Sequence, residues 1–315
     1  MTPPPVPRDV PLDARPSSPF ATRIGRWLVG MAELALVAWV GKALFRAFEP
    51  FGGSWAESVF RARGSVRYPQ ETPAYVVPFL LQMLVLFPAV RWARGGRSRA
   101  SFGLARPFAG ASACLAMTLA GLVVMNVGTL AVPGVLDAAW TAYGMSGPTD
   151  AWVFVLWMSP VVAAFGEEVT FRSCLQGGLM EASVPVGALS SAITFASLHA
   201  FQGLVPLFAF HVPAAVLYAG IYARHRDLVS QMVAHAAYDA IVFGEMWLLY
   251  RGGVDRTAMT VGVTVAATVG LVLQRKTFGT IVADGRALFR GAFRDPSMLA
   301  VAVPSVALLA WFLRT

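Results

Sequence analysis

Two adjacent carboxylates stand at the end of a long apolar run, where one of them could take a proton from water. Glu167 and Glu168 follow residues 151–166, which contain no ionisable side chain. Arg172 comes four positions after Glu168, so on a helix these two share a face and can form an ion pair. Glu167 points about 100° away around the same helix. It is therefore left without the arginine.

Two imidazoles occur with the same four-residue spacing in later apolar stretches. In "TFASLHA" Phe195 precedes His199 by four residues, and in "VAHAAYDA" His235 precedes Asp239 by four. Each helix therefore offers an imidazole with a second residue on the same face. Together with Glu167, these helices are expected to place one carboxylate and two imidazoles around a small polar cavity.

The composition indicates that these helices lie in a membrane. Of 315 residues, 57% are hydrophobic and 13% are charged, whereas a soluble globular chain carries about 25% charged residues. Residues 107–136 contain no Asp, Glu, Lys or Arg, and none occurs between Glu181 and Arg224. Because a helix that crosses a bilayer needs about 20 mostly apolar residues, we expect an all-α, polytopic transmembrane bundle. Ionisable residues inside it are costly and indicate function.

Apolar segments set the expected number of spans. Nine spans agree best with the pattern, and eight is the next-best count. The segments lie at roughly 27–48, 74–92, 107–132, 151–175, 184–203, 204–223, 228–250, 257–274 and 296–313.

Basic residues set the expected orientation. The loop at 91–106 carries five arginines, the loop at 137–150 carries two aspartates and no basic residue, and the loop at 275–294 is basic again. By the positive-inside rule, the N-terminus and the basic loops are cytoplasmic. Residues 49–73 contain three arginines but fall on the outer side in this arrangement.

The net charge of +8 is explained by this topology. Of the 25 basic residues 23 are arginines, and most lie in short runs between apolar segments. We therefore expect the lipid bilayer as a partner and no nucleic acid. Arginine-rich, lysine-poor usage suggests a bacterial origin, and hence the inner membrane.

Four regions follow from these patterns. Residues 1–26 are Pro-rich and are expected to form a disordered cytoplasmic tail. Residues 27–149 and 251–315 are expected to form the outer transmembrane helices, and residues 150–250 a helical core that carries the polar pairs. Cys114 and Cys174 lie in apolar segments and predict no disulfide framework.

The chain resembles the CPBP intramembrane proteases in three motifs. "EEVTFR", "FASLH" and "HAAYD" match E-E-x-x-x-R, F-x-x-x-H and H-x-x-x-[N/D] of that family, in order and on separate apolar helices. The family includes the CAAX prenyl endopeptidases and the bacteriocin-processing and self-immunity proteins. The match covers about residues 150–250, and the resemblance implies that this segment is the catalytic core. The family often has Asn at the last motif position, where this chain has Asp239, and an acid donates a hydrogen bond only when it is protonated.

The resemblance implies an endopeptidase that cleaves a membrane-anchored protein or peptide. In it, Glu167 is the general base that activates water, and His199 shares or orients that water. His235 and Asp239 polarise the scissile carbonyl and stabilise the oxyanion. Glu168, Arg172 and Phe195 are structural supports.

Zinc is an alternative to the metal-free mechanism, since members of the family have also been described as metalloproteases. Glu167, His199 and His235 would then be three ligands that leave an open position for water. The chain has no H-E-x-x-H, the compact zinc signature, and we favour no cofactor.

The same residues are also compatible with other functions. "GMSG" at 144–147 has the form of the rhomboid serine nucleophile, with Ser146 in a polar loop. Rows of buried Glu, His and Asp side chains also relay protons in transporters, and an immunity scaffold would use the same polar helices without cleavage.

Two ionisable residues in the apolar segments lie outside the motifs. His211 is expected to have a structural role, and Glu245 is expected to lie near the outer interface of the membrane.

Overall fold

Helices make up the described part of this protein. The structure, a computed structural model, describes residues 19–29, 81–93, 98–132, 154–199, 207–251 and 254–298, together with Leu12 and Ala32. Within these residues the chain forms helices and turns and no strand, which confirms the predicted all-α class.

Nine helices, labelled in chain order, occur in the described ranges. Three segments have π-type hydrogen bonding: all of α4, and short segments at Gln82–Leu86 and Leu207–His211 that lead into α2 and α6. The bounds are α1 at residues 20–29, α2 at Phe87–Ala93, α3 at Ala111–Ala131, α4 at Phe154–Gln176, α5 at Val184–Leu198, α6 at Val212–His225, α7 at Leu228–Arg251, α8 at Arg256–Leu273 and α9 at Arg275–Arg294.

Helices α3 to α8 each lie within or overlap a predicted span. Of the described helices, α3 and α8 are long and apolar enough by composition to cross a membrane. Helices α4 and α7, of 23 and 24 residues, are also long enough, but they carry ionisable residues. The predicted spans at 27–48 and 296–313 lie almost entirely outside the described residues, as do residues 49–73 and Ser146. The count of eight or nine spans therefore stays a prediction.

Residues 275–294 form helix α9, so the prediction of a loop there was wrong. The basic residues of this segment suggested a connection between spans. Apolar residues at helical spacing, Ile281, Leu288 and Ala292, are nevertheless buried, and they hold α9 against α5 and α6. One face of the helix is apolar and the other is basic. The average composition of the segment is therefore polar, although its residues follow an amphipathic helical pattern.

The N-terminal helix α1 is joined to the end of α9. Arg23 donates to Asp295 at 3.1 Å, and Ser183 donates to the other oxygen of Asp295 at 2.9 Å. Trp27 is buried beside them. The predicted end of the disordered tail at residue 26 falls inside this helix.

The loop that precedes α3 ties α4 to the start of α7. Ser173 of α4 donates its hydroxyl to the carbonyl of Phe102 at 3.0 Å, and the amide of Leu228 donates to the carbonyl of Gly103 at 2.9 Å. Gly103 has φ +72°, and a Cβ there would lie 2.8 Å from the ring of Tyr222. A side chain is therefore excluded from this turn. The loop fixes the end of α4 relative to α7, and these two helices pack along one another.

A tight connection between α6 and α7 also supports this arrangement. Arg226 ends α6 in the left-handed conformation with φ 50°, and Asp227 follows. The carboxylate of Asp227 accepts from the amide of Ser230 at 3.1 Å and from the amide of Gly110 at 2.9 Å. It therefore caps the first turn of α7 and joins that turn to the start of α3.

Candidate active site

Helices α4 and α7 bring the first and third sequence motifs together. Oε1 of Glu168 lies 2.9 Å from Nδ1 of His235, and Oε2 of Glu168 lies 3.3 Å from Nε of Arg172. The side chain of Glu168 is only 2% exposed. Because Arg172 keeps Glu168 ionised, the carboxylate accepts and Nδ1 of His235 donates.

The other ring nitrogen of His235 faces two more carboxylates. Its Nε2 lies 3.9 Å from Oε2 of Glu167 and 3.6 Å from Oδ2 of Asp239. Five of the seven predicted site residues therefore meet in one group, which we call the α4–α7 cluster: Glu167, Glu168, Arg172, His235 and Asp239. All five side chains are largely buried.

Glu167 retains unused capacity to accept a hydrogen bond. Its Oε2 is buried and receives no hydrogen bond from the part of the chain that the structure describes. Buried polar atoms are normally satisfied by protein or by ordered water. A gap of 3.9 Å between this oxygen and Nε2 of His235 is too long for a direct hydrogen bond, but one water molecule can lie within hydrogen-bond distance of both atoms.

Phe195 connects the second motif to the α4–α7 cluster. Its ring lies 5.1 Å from the guanidinium carbon of Arg172, an arrangement typical of a cation–π contact. The same ring has its centroid 4.8 Å from that of His199 and 6.3 Å from that of His235. Phe195 thus stands between the two imidazoles, so all seven predicted site residues are connected through side-chain contacts.

His199 caps the C-terminal end of α5 rather than lying within it. Its Nδ1 lies 3.1 Å from the carbonyl oxygen of Phe195. Since a carbonyl only accepts, Nδ1 donates, and the neutral ring carries its lone pair on Nε2. This is the tautomer that accepts a proton or a hydrogen bond from water at Nε2.

Two side-chain relationships were missed by the sequence interpretation. The hydrogen bond between Glu168 and His235 joins two helices, and spacing along one helix cannot reveal such a contact. The ring of His211 also stacks on that of His199, with centroids 4.5 Å apart and planes inclined by 22°. A histidine at the start of an apolar helix was the only available signal for this second contact.

Glu245 lies farther along α7 and outside the cluster. We predicted it near the outer interface. Its side chain is buried, with 9% of the residue exposed, and it lies against Asn126 of α3. A second polar contact therefore joins α3 to α7.

The candidate zinc ligands do not converge as a set of three in this arrangement. Glu167 and His235 approach each other at 3.9 Å, but among the described residues no group of three His, Cys, Asp or Glu side chains has a geometry suited to a metal ion. His199 contacts the cluster through the ring of Phe195. The arrangement of Glu167, His199 and His235 thus does not match a three-ligand zinc site, and we derive no step through a metal.

Comparison with known proteins identifies one family. Residues 149–241 match the model of a family described as type II CAAX prenyl endopeptidase Rce1-like. The matched segment runs from before α4 into α7 and contains all three motifs, which confirms the resemblance to the CPBP family over this segment. No curated protein and no solved structure matches the chain.

Proposed function

We propose that this protein is an intramembrane endopeptidase that hydrolyses a peptide bond in a membrane-anchored substrate. The observation that carries the proposal is the pairing of Glu167 and His235. A buried carboxylate oxygen with unused hydrogen-bonding capacity lies 3.9 Å from an imidazole nitrogen. This pair lies in the segment that matches an endopeptidase family.

In the proposed reaction, Glu167 takes a proton from a water molecule as the oxygen of that water attacks the scissile carbonyl carbon. His199, with its lone pair on Nε2, accepts the second hydrogen of the same water and orients it. A carboxylate base of this kind typically contributes about 10²- to 10⁴-fold to the rate. The proton held on Glu167 then passes to the leaving amine, so that the base returns to its starting state.

In this proposal His235 and Asp239 donate hydrogen bonds to the oxygen of the scissile carbonyl. Nδ1 of His235 donates to Glu168, which fixes the ring so that Nε2 is directed to the reaction centre. In the imidazolium form of His235, Nε2 carries a proton too and donates it in a hydrogen bond to the developing oxyanion, an interaction that is strongest where water is scarce. Asp239 contributes a second donor only in its protonated form.

The family description supports a membrane-anchored substrate, and two helices apolar enough to cross a membrane support a membrane location for the protein. The family description names prenyl endopeptidases, so a lipid-modified C-terminal segment is one substrate class. A bacteriocin leader and a C-terminal sorting tail are also compatible with the site. We place the protein in a bacterial inner membrane with eight or nine spans and its N-terminus in the cytoplasm.

A cleavage assay tests the proposal. The purified protein in detergent is incubated with prenylated, leader-type and sorting-tail peptides, and mass spectrometry identifies new termini. The wild type is expected to cleave at least one class at a single bond, whereas Glu167→Ala is expected to remain folded and inactive. Ser146→Ala is the matched control and should keep full activity. Metal analysis of the active preparation decides between the metal-free and zinc mechanisms.

A non-proteolytic membrane protein is the second candidate. Its specific support is Glu245, a further buried carboxylate on the helix that carries His235 and Asp239. Buried ionisable groups along one helix can form a proton pathway. Proton or solute flux in proteoliposomes without new peptide termini would favour this alternative over the endopeptidase.

A further inference from the structure

Two aromatic rings contact the imidazole of His199, and they come from different parts of the chain. Phe195, on the same helix, has its ring centroid 4.8 Å away with the planes inclined by 43°. His211 approaches from the segment that leads into α6, at 4.5 Å and 22°. The nearly parallel arrangement means that His211 offers the face of its ring to His199. A stack of this kind favours one orientation of the partner ring.

His211 belongs to a firmly attached segment. It is the last residue of Leu207–His211 and runs into α6 with helical backbone angles, φ −65° and ψ −43°. The preceding residue, Phe210, stacks on Tyr238 of α7 with centroids 5.9 Å apart and planes inclined by 23°. One short segment therefore packs a ring against the end of α5 and another against α7, beside Asp239.

We propose that His211 is a positioning residue that holds the imidazole of His199 in its working orientation. The hydrogen bond from Nδ1 to the Phe195 carbonyl fixes one edge of the His199 ring, and the stack fixes its plane. With both in place the ring has one orientation, and in the proposed mechanism this orientation lets Nε2 of His199 accept a hydrogen bond from the water that Glu167 activates. This inference rests on the proposed function, because only water activation gives the orientation of His199 a chemical consequence.

Variants of His211 separate stacking from acid–base chemistry. His211→Phe keeps a flat ring and removes the nitrogens, whereas His211→Leu keeps apolar bulk and removes the flat ring. Phe208→Ala is the matched control, since Phe208 lies in the same segment with 57% of its surface exposed.

If His211 acts by stacking, His211→Phe and Phe208→Ala keep the kcat of the wild type. His211→Leu then lowers kcat by about two- to tenfold, the range expected for one aromatic contact, with KM nearly unchanged. Equal losses in His211→Phe and His211→Leu would overturn the proposal, because the nitrogens and not the ring would then matter. An unchanged kcat in His211→Leu would overturn it as well.

Nitrogen NMR provides a test that does not depend on cleavage. The chain has four histidines, so ¹⁵N-histidine labelling in lipid gives few signals, and variants assign them. His199 is expected to show one Nδ1–H tautomer in the wild type and in His211→Phe, and a second population in His211→Leu. An unchanged His199 signal in His211→Leu contradicts the proposed role, even in a preparation that cleaves nothing. Absence of cleavage by the wild type would instead contradict the endopeptidase proposal.

Discussion

Asp295 and Glu167 are both acidic side chains buried among helices, but their oxygens have different surroundings. Oδ1 of Asp295 accepts from Arg23 at 3.1 Å and from the hydroxyl of Ser297 at 2.7 Å, and Oδ2 accepts from Ser183 at 2.9 Å. Oε2 of Glu167 accepts no hydrogen bond from the described part of the chain. We call the first group, Arg23, Ser183, Asp295 and Ser297, the Asp295 cluster.

The difference separates a carboxylate that holds the fold from one that can act on another molecule. A fully satisfied buried carboxylate has its interactions within the protein and stabilises the elements that supply its donors. A buried carboxylate with an unsatisfied oxygen costs stability, and such costs are tolerated at functional sites. The comparison predicts that Glu167 and Asp295 respond in opposite ways to the same type of mutation.

The largest expected effect comes from Glu167→Gln. Glutamine has nearly the same shape but cannot take a proton from water, so cleavage should fall by about 10²- to 10⁴-fold. Because Oε2 lacks a hydrogen-bond donor within the described residues, the Tm should stay constant or rise. Turnover is followed by mass spectrometry of the substrate. Unfolding is followed with a thiol-reactive dye, since Cys114 and Cys174 are both buried. Full activity of Glu167→Gln would show that Glu167 is not the general base.

Glu168→Gln is the matched neighbour and should behave differently. Glu168 is paired with Arg172, which is only 1% exposed. Leaving a buried charge unpaired costs about 3–5 kcal/mol, so the Tm should fall by roughly 10 °C. Activity should fall too, because His235 loses the acceptor at Nδ1. A variant with the Tm of the wild type would show that the ion pair does not stabilise the cluster.

Asp295→Asn should affect stability alone. The change removes the charge that Arg23 faces at 3.1 Å, so the Tm should fall by a few degrees while kcat per folded molecule stays constant. Asp255→Asn is the control, because Asp255 caps α8 by accepting from the amide of Ala258 and asparagine caps equally well. If Asp295→Asn lowers kcat without lowering the Tm, the contrast between Asp295 and Glu167 is lost.

Lowering the pH should produce the smallest change in the Tm. Burial raises the pKa of Asp295, but hydrogen bonds from Ser297 and Ser183 and the charge of Arg23 outweigh it and hold the pKa below the usual value. The stability that this lowered pKa contributes is present above the unfolded value of about 4. It is lost as the pH falls through the lower, folded value. The Tm difference between wild type and Asp295→Asn should therefore narrow as the pH falls below 4. A difference that stays constant would contradict the ionised state of Asp295.

Much of the fold could be predicted because a bilayer imposes long apolar segments. The charge-free stretches predicted the positions of α3 and α5, and the pairs four residues apart predicted which residues share a helix face. Helix α9 was missed because its arginines masked the spacing of Ile281 and Leu288. Composition reports the average of a segment, whereas an amphipathic helix depends on the order of its residues.

The sequence named the members of the candidate site but not the contacts between them. The motifs named Glu167, His199 and His235, because apolar helices rarely carry such residues without a role. The bond between Glu168 and His235 depends on how α4 packs against α7. The stack of His211 on His199 depends on the path of the chain between α5 and α6. The spacing of residues along one helix predicts neither how two helices pack nor where the chain runs between them.

An experimental structure of the protein in lipid, at a resolution that shows solvent, tests the central claim most directly. The account predicts one solvent molecule within hydrogen-bond distance of both Oε2 of Glu167 and Nε2 of His235, and anomalous scattering tells water from a metal ion. A Glu167 carboxyl that faces acyl chains or bulk water, far from the rings of His199 and His235, would contradict the account.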